Sequence, residues 1–306
     1  MKHAFLCPGQ GSQKVGMGYD LSLNSDLGKA YFEQANEIMD LNIQKIIFSG
    51  PDELLRETQF TQPAIYIVSV ILGELLIARG IKPDCTAGHS LGEYSALALA
   101  GAFNFETGLK LVKIRARGMQ QAGEMHRGTM AAVIGLANDR VAEICAQIEE
   151  GIVVAANYNA PGQVVISGEI PAVQAAVNLA RQAGARKAIL LNVSGAFHSP
   201  LMTPAREILA EMLKSIEIHD SQVPVYVNIS AKPVQQAEML KTALIDQLES
   251  PVLWHKTITN IINDGFRQGV EVGPGRVLQG LARRIDKNFI MTGVETLEQV
   301  ERFEHD

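Results

Sequence analysis

From Cys85 the chain reads Cys-Thr-Ala-Gly-His-Ser-Leu-Gly: a short apolar run, a turn bracketed by Gly88 and Gly92, then an Ala/Leu-rich stretch to Ala100. A strand that passes into a helix within so few residues holds the serine at its apex in a strained backbone, and only glycines fit on either side without clashing. Such a turn belongs at the end of a strand in a mainly parallel sheet with helices packed on it, which restricts the chain to the α/β class.

The same alternation continues elsewhere. Ala4–Cys7 is a short apolar run opening onto Pro8-Gly9-Gln10-Gly11-Ser12-Gln13, the pattern of a buried strand ending in a glycine-rich turn. Helical periodicity covers 27–39 and 64–79; after residue 193, strands at 223–229 and 269–272 alternate with helices at 237–248, 254–264 and beyond Gly275. The middle reads differently: strand 129–136, helix 138–150, strand 152–158, strand 163–167, helix 171–183, strand 187–193. That βαββαβ order is the ferredoxin-like unit. Asn159-Ala160-Pro161-Gly162 supplies hairpin chemistry between its middle strands, and alanines and valines on one face of 171–183 let it bury a core of its own. The expected fold is therefore α/β, a hydrolase-like core with a mainly parallel sheet plus an inserted ferredoxin-like subdomain. Residues 1–127 and 194–306 form the large domain and 128–193 the small one.

Composition narrows the function classes. A length of 306 residues with 47% hydrophobic content permits a sizeable core. A net charge of -6 lacks the basic excess that drives binding to a phosphate backbone, so nucleic acid is not an expected partner. Cys7, Cys85 and Cys145 lie far apart without metal-ligand spacing, which argues against a zinc site or a disulfide framework and suits a reducing cytoplasm. Pro8 and Gly9 interrupt the apolar start at once, and the most apolar window, 64–72, ends at Gly73-Glu74, short of the roughly 20 residues of a membrane span. The chain reads as soluble, cytoplasmic and untargeted, with no membrane partner and no metal.

Gly88-His89-Ser90-Leu91-Gly92 makes Ser90 the candidate nucleophile, with a helix beginning at Leu91 pointing free N–H groups at the serine oxygen. A serine hydroxyl needs a base. Of seven histidines, His3, His219 and His305 are accounted for by surface roles, and His126 and His255 have ordinary polar surroundings. His89 is adjacent to Ser90, but successive side chains diverge, which suits support better than proton transfer. His198 lies in Ser194-Gly195-Ala196-Phe197-His198-Ser199-Pro200, a loop after a strand and before a helix, where catalytic groups are commonly presented. Arg115 sits on a helix whose Leu111, Val112, Ile114 and Met119 mark a buried face; a guanidinium there suits a substrate carboxylate or a structural ion pair, with Arg117 as the solvated alternative. Gln10 ends the first strand, a natural position for a backbone N–H that completes an oxyanion hole. No Gly-Lys-Ser/Thr follows, so a nucleotide site is discounted.

Gly9-Gln10-Gly11-Ser12-Gln13, Gly88-His89-Ser90-Leu91-Gly92-Glu93, Arg115, Phe197-His198, Gln247-Leu248-Glu249-Ser250-Pro251-Val252 and Glu271-Val272-Gly273-Pro274-Gly275 together resemble the bacterial malonyl-CoA:acyl carrier protein transacylase family over nearly the whole chain. The resemblance implies Ser90 as nucleophile, His198 as base, Arg115 as clamp for the malonyl carboxylate, and the N–H groups of Gln10 and Leu91 as the oxyanion hole. Gln247, through a carbonyl oxygen, would orient His198 where a hydrolase uses an aspartate. His89, Phe197 and Gln10 would contact substrate. Leu91 and Phe197 resemble the malonyl-selecting versions of these motifs in related polyketide acyltransferases, so their bulk should disfavour a methyl branch.

The implied reaction is a ping-pong transfer from malonyl-CoA through a malonyl-Ser90 ester to the phosphopantetheine thiol of acyl carrier protein, without metal or bound cofactor, by a protein expected to be a monomer. Arg283, Arg284 and Lys287, or Arg181, Arg186 and Lys187, could offer the carrier a basic patch, although a solvated face is the commoner meaning of such a cluster. A serine esterase shares the elbow, but its acid precedes the histidine in the chain, and the motif around Gln247 follows His198 and offers no matched acid. A carrier-binding scaffold without catalysis leaves Ser90, His198 and Arg115 unexplained together.

Overall fold

The structure, a computed structural model, describes residues 2–304; His305 lies outside them. Among the described residues, ten strands form two separate sheets. The large one uses β1 (Ala4–Cys7), β2 (Cys85–Gly88), β7 (Val225–Tyr226), β8 (Pro233–Val234), β9 (Gln268–Val272) and β10 (Ile290–Val294). Their order is β10-β9-β1-β2-β7-β8, parallel throughout except where β8 turns back on β7. All four residues of β1 and all four of β2 are buried, as strands covered by helices on both faces must be.

The small sheet uses β3 (Gly128–Ile134), β4 (Val153–Ala160), β5 (Gln163–Glu169) and β6 (Lys187–Leu190). It is antiparallel, in the order β4-β5-β3-β6 that the βαββαβ reading requires. Helices Asn138–Ala146 and Ile170–Gln182 lay Val141, Ile144, Val173 and Val177 on it, a core distinct from those of the large sheet. A bridge between Asn157 of β4 and Val252 ties the small sheet to the segment that follows Gln247.

Three expectations shift. The helix expected at 64–79 runs Thr58–Ala78 and passes through Pro63. Among the described residues it is the one helix long and apolar enough to cross a membrane, and it is mostly buried: it is the central helix of the core. The strand expected at 223–229 shortens to Val225–Tyr226, because Asn228 is drawn into side-chain bonding with the serine turn. Strand β10 has no counterpart in the sequence reading; at the sheet edge it alternates exposed and half-buried residues, Ile290 being 64% exposed, so no apolar run announces it.

Candidate active site

The turn after β2 is built by close approach. A Cβ at Gly88 would fall 1.9 Å from the Gly92 backbone, and one at Gly92 would fall 2.1 Å from the Cys7 carbonyl. Neither position accepts a side chain, so helix Gly92–Leu99 starts directly against the end of β1. Ser90 is held at φ +52°, in the left-handed region that costs a non-glycine residue about 1–3 kcal/mol and persists only where its surroundings enforce it. The His89 N–H bonds the Cys7 carbonyl at 3.0 Å, tying the turn to β1.

His198 comes to this serine from the loop that follows β6, with Nε2 at 2.7 Å from Ser90 Oγ. Its Nδ1 faces two carbonyl oxygens, Gln247 O at 2.9 Å and Ser250 O at 3.2 Å. Carbonyls only accept, so the ring proton resides on Nδ1, and Nε2 is left to accept from the serine hydroxyl. Burial, and then the charge of Arg115, push the imidazole down to about 3, so it is neutral at physiological pH. His198 is also at positive φ, +58°.

Arg115, on helix Phe105–Met125, is fully buried, and all its acceptors are neutral. Nη1 donates to Gln62 Oε1 at 2.6 Å; Nη2 donates to Gln247 Oε1 at 2.9 Å and to Ser90 Oγ at 3.1 Å. The Tyr94 ring lies 5.4 Å from the guanidinium carbon, and Nε has no partner. Burial lowers its proton affinity, yet no carboxylate stands within ion-pair distance among the described residues. A buried cation bonded only to neutral groups is a receptor for an anion.

A cavity of about 210 Å³ opens onto Ser90 and His198. Gln10 lines it from the first glycine-rich turn, and Phe197 from the histidine loop. Met130 and Val165 of the small sheet form part of its apolar wall. His89 also faces it, its Nε2 2.8 Å from Asn159 Oδ1 and its ring edge-on to Trp254. Among the described residues, neither the Gln10 nor the Leu91 backbone N–H has a hydrogen-bond partner, which leaves both available to an oxyanion. The Leu91 side chain, 1% exposed, packs into the core and is not part of the cavity wall, so the expected exclusion of a methyl branch by its bulk finds no contact here.

Ser90, His198, Gln247, Arg115, Gln10, Leu91, His89 and Phe197 are thus brought to one place. His3, expected at the surface, is instead buried at 7% exposure, beside Phe303. Sequence reasoning passed over Gln62, Ser250, Asn159, Glu93 and Asn228. Glu93 stood in a quoted motif, and its only signal was a charge on an otherwise apolar helix; Asn228 had none, lying inside what reads as a strand. No group of three or more His, Cys, Asp or Glu residues suited to hold a metal occurs among the described residues.

Residues 4–300 match the family described as the acyl transferase domain. The chain is 41% identical over 302 residues to the malonyl CoA-acyl carrier protein transacylase of Bacillus subtilis, covering 98% of this chain and 95% of that protein. The solved malonyl CoA-acyl carrier protein transacylase of Coxiella burnetii superposes with a TM-score of 0.95 at 39% identity, over 98% of this chain and 96% of that one. A malonyl-transacylase solved in complex with its type II polyketide synthase acyl-carrier protein superposes with a TM-score of 0.94 at 38% identity, over 98% of each chain.

Proposed function

The chain belongs to the acyl transferase domain family that includes these transacylases, and from that premise we propose that it moves a malonyl group from malonyl-CoA to the phosphopantetheine thiol of an acyl carrier protein through an ester on Ser90. The observation that carries this reading is the double contact of one oxygen. Ser90 Oγ touches its base, His198 Nε2, at 2.7 Å and a guanidinium without a counterion, Arg115 Nη2, at 3.1 Å. A nucleophile beside a buried anion receptor fits an acyl group that ends in a carboxylate.

In the first half-reaction Ser90 Oγ attacks the thioester carbonyl as its proton passes to His198 Nε2. The negative charge on the former carbonyl oxygen is taken by the N–H groups of Gln10 and Leu91. Collapse breaks the C–S bond, and the departing CoA thiolate takes the proton back from His198. In the second half the carrier's thiol gives its proton to His198 and attacks the ester, and Ser90 Oγ leaves with that proton. Arg115 turns from Gln247 and Ser90 to the malonyl carboxylate, fixing the thioester over the serine; an acetyl group has nothing to offer it. The carbonyls of Gln247 and Ser250 hold the Nδ1 proton without a formal charge. They stabilise an imidazolium less than an aspartate would, which suffices for a thioester, more reactive than an amide. Every step uses side chains, backbone N–H groups and the substrate itself.

We take residues 1–127 with 194–306 as the catalytic domain and 128–193 as a subdomain inserted in it; the separate sheet and separate core of the latter support this division. For the carrier we favour Arg283, Arg284 and Lys287. All three are exposed, and both arginines are on the helix whose Val277, Leu278 and Leu281 line the cavity. Arg181 of the other cluster is engaged by the Ala188 carbonyl at 2.7 Å. Three free, buried cysteines suit a reducing, cytoplasmic setting.

The test is intact-protein mass after brief mixing with malonyl-CoA, for the wild type and Ser90→Ala, followed by a chase with holo carrier protein. A malonyl adduct on the wild type alone, discharged onto the carrier, is the expected result. Malonate released at a matching rate without carrier would make the protein a hydrolase instead.

A further inference from the structure

Asn228 contacts neither the cavity nor any reacting atom, yet all four of its polar atoms are spent on the parts that hold the dyad. Its Oδ1 accepts from the Ser90 N–H at 2.8 Å and its Nδ2 donates to the Gly88 carbonyl at 2.6 Å, so one planar amide spans the strained turn on both sides of His89. Its backbone N–H donates to Glu93 Oε2 at 2.6 Å, and its carbonyl accepts from the Leu253 N–H at 3.1 Å. Leu253 closes the 247–253 segment, whose Gln247 and Ser250 carbonyls orient His198. Both Asn228 and Glu93 are 0% exposed.

Resting on the transfer reading above, we infer that Asn228 is a positioning residue of this reaction: its side chain holds Ser90 in the left-handed conformation that aims Oγ at His198, and its carbonyl fixes the segment that orients the histidine. Three consequences follow from the geometry. The bond to Asn228 occupies the Ser90 N–H, so this donor does not compete with Gln10 and Leu91 for the developing oxyanion. Gln247 Nε2 donates to the Ser90 carbonyl at 3.1 Å, so the nucleophile's peptide is gripped at both its N–H and its C=O by residues outside its own strand and helix. Glu93, on the first turn of helix Gly92–Leu99, anchors the Asn228 backbone, which explains why a carboxyl is tolerated in an apolar interior while its Oε1 goes without a partner. Burial pushes that carboxyl up to about 8, and the Asn228 N–H pulls against the rise.

The role predicts a specific kinetic signature, because substrate contacts remain intact while the reacting geometry is lost. Asn228→Ala should slow formation of the malonyl-Ser90 ester on the order of 10²-fold, the cost of a misplacement of about 1 Å, with the KM for malonyl-CoA little changed. Asn228→Asp reproduces the donor–acceptor pair only when its carboxyl is protonated. Its acylation rate should therefore climb toward that of the wild type as pH is lowered, whereas the wild type shows no such climb. The ionisable groups around that carboxyl, Glu93 on the Asn228 N–H, His89 between its two side-chain partners, and Arg115 and His198 on Ser90 Oγ, are present in both proteins, so the difference between the two profiles isolates residue 228.

Single-turnover acylation by rapid-mixing mass spectrometry, run on all three proteins across pH beside melting curves, reads these outcomes. A folded Asn228→Ala protein acylated at the wild-type rate overturns the inference. So does an Asn228→Asp profile parallel to that of the wild type, which remains a decisive comparison if the alanine variant fails to fold. A wild type that forms no ester instead removes the transfer reading on which the inference stands.

Discussion

At the carboxyl ends of the parallel strands, Ser90, Arg115, Asn228 and Gln247 are bound to one another by side-chain hydrogen bonds, and each is placed by at least two partners. Across the cavity the small antiparallel sheet contributes apolar wall, Met130 and Val165, and amide side chains such as Asn159, which steadies His89. The two sides differ in how they tolerate change. Removing one member of a buried polar network leaves its partners unpaired, whereas an apolar wall of the right volume accepts substitution. The reacting geometry is specified by the large sheet, and the shape around it by the small one.

The largest effect that would test this contrast is at Arg115. Arg115→Ala should cut malonyl transfer on the order of 10²-fold or more while acetyl transfer persists, measured as carrier acylation from each CoA ester. Unchanged malonyl kinetics would remove the carboxylate assignment and with it the special status of the large-sheet side.

Protonation gives a second, intermediate test, because the small sheet, with no histidine between 128 and 193, supplies no imidazole base. A folded-state His198 pushed down to about 3 is neutral throughout the physiological range, so ester formation should keep its rate well below pH 6, where an ordinary histidine would already have lost its basicity. The unfolded chain protonates that histidine near 6.5 and the folded chain only near 3, so the unfolded state binds more protons in between. Stability should therefore fall as pH drops from about 6.5 toward 3, and His198→Gln should lose less melting temperature over that interval than the wild type. Equal losses would mean that the imidazole is not held neutral.

The smallest effect concerns the carrier. Arg283→Glu with Arg284→Glu, on the large-sheet side, should raise the KM for the carrier protein a few-fold in a salt-dependent way and leave the malonyl-CoA half-reaction alone. Arg186→Glu with Lys187→Glu, on the small-sheet side, should do less. The reverse order would move docking to the small sheet.

The sequence showed the parts of this architecture that obey local rules. The glycines around Ser90 and the βαββαβ order of 128–193 are each fixed by a short-range steric or periodic requirement, and the structure retains both. Gln62 and Asn228 escaped notice because their importance is made by partners far along the chain, Arg115 and the turn at Gly88-Ser90; an amide in a helix or at a strand end looks the same whether or not such a partner exists. Gln247 was reached through family likeness alone, since the atom that meets His198 is a backbone oxygen that any residue could supply. Strand β10 was missed for a different reason, its edge position sparing it the apolar pattern that burial imposes on β1 and β2.

Strand β1 lies between β2 and β9, so one of its edges pairs with residues that are synthesised long after it, Ala4 with Gly269. At synthesis rates of about 5–20 residues per second, that edge stays unpaired for roughly 13–50 s. Meanwhile the apolar helix Thr58–Ala78 has emerged and gains its cover from Phe105–Met125 within seconds. The growing chain must carry an open strand edge until β9 is made, so chaperone demand should respond more to slowed translation between β2 and β9 than to any change in the finished protein's stability.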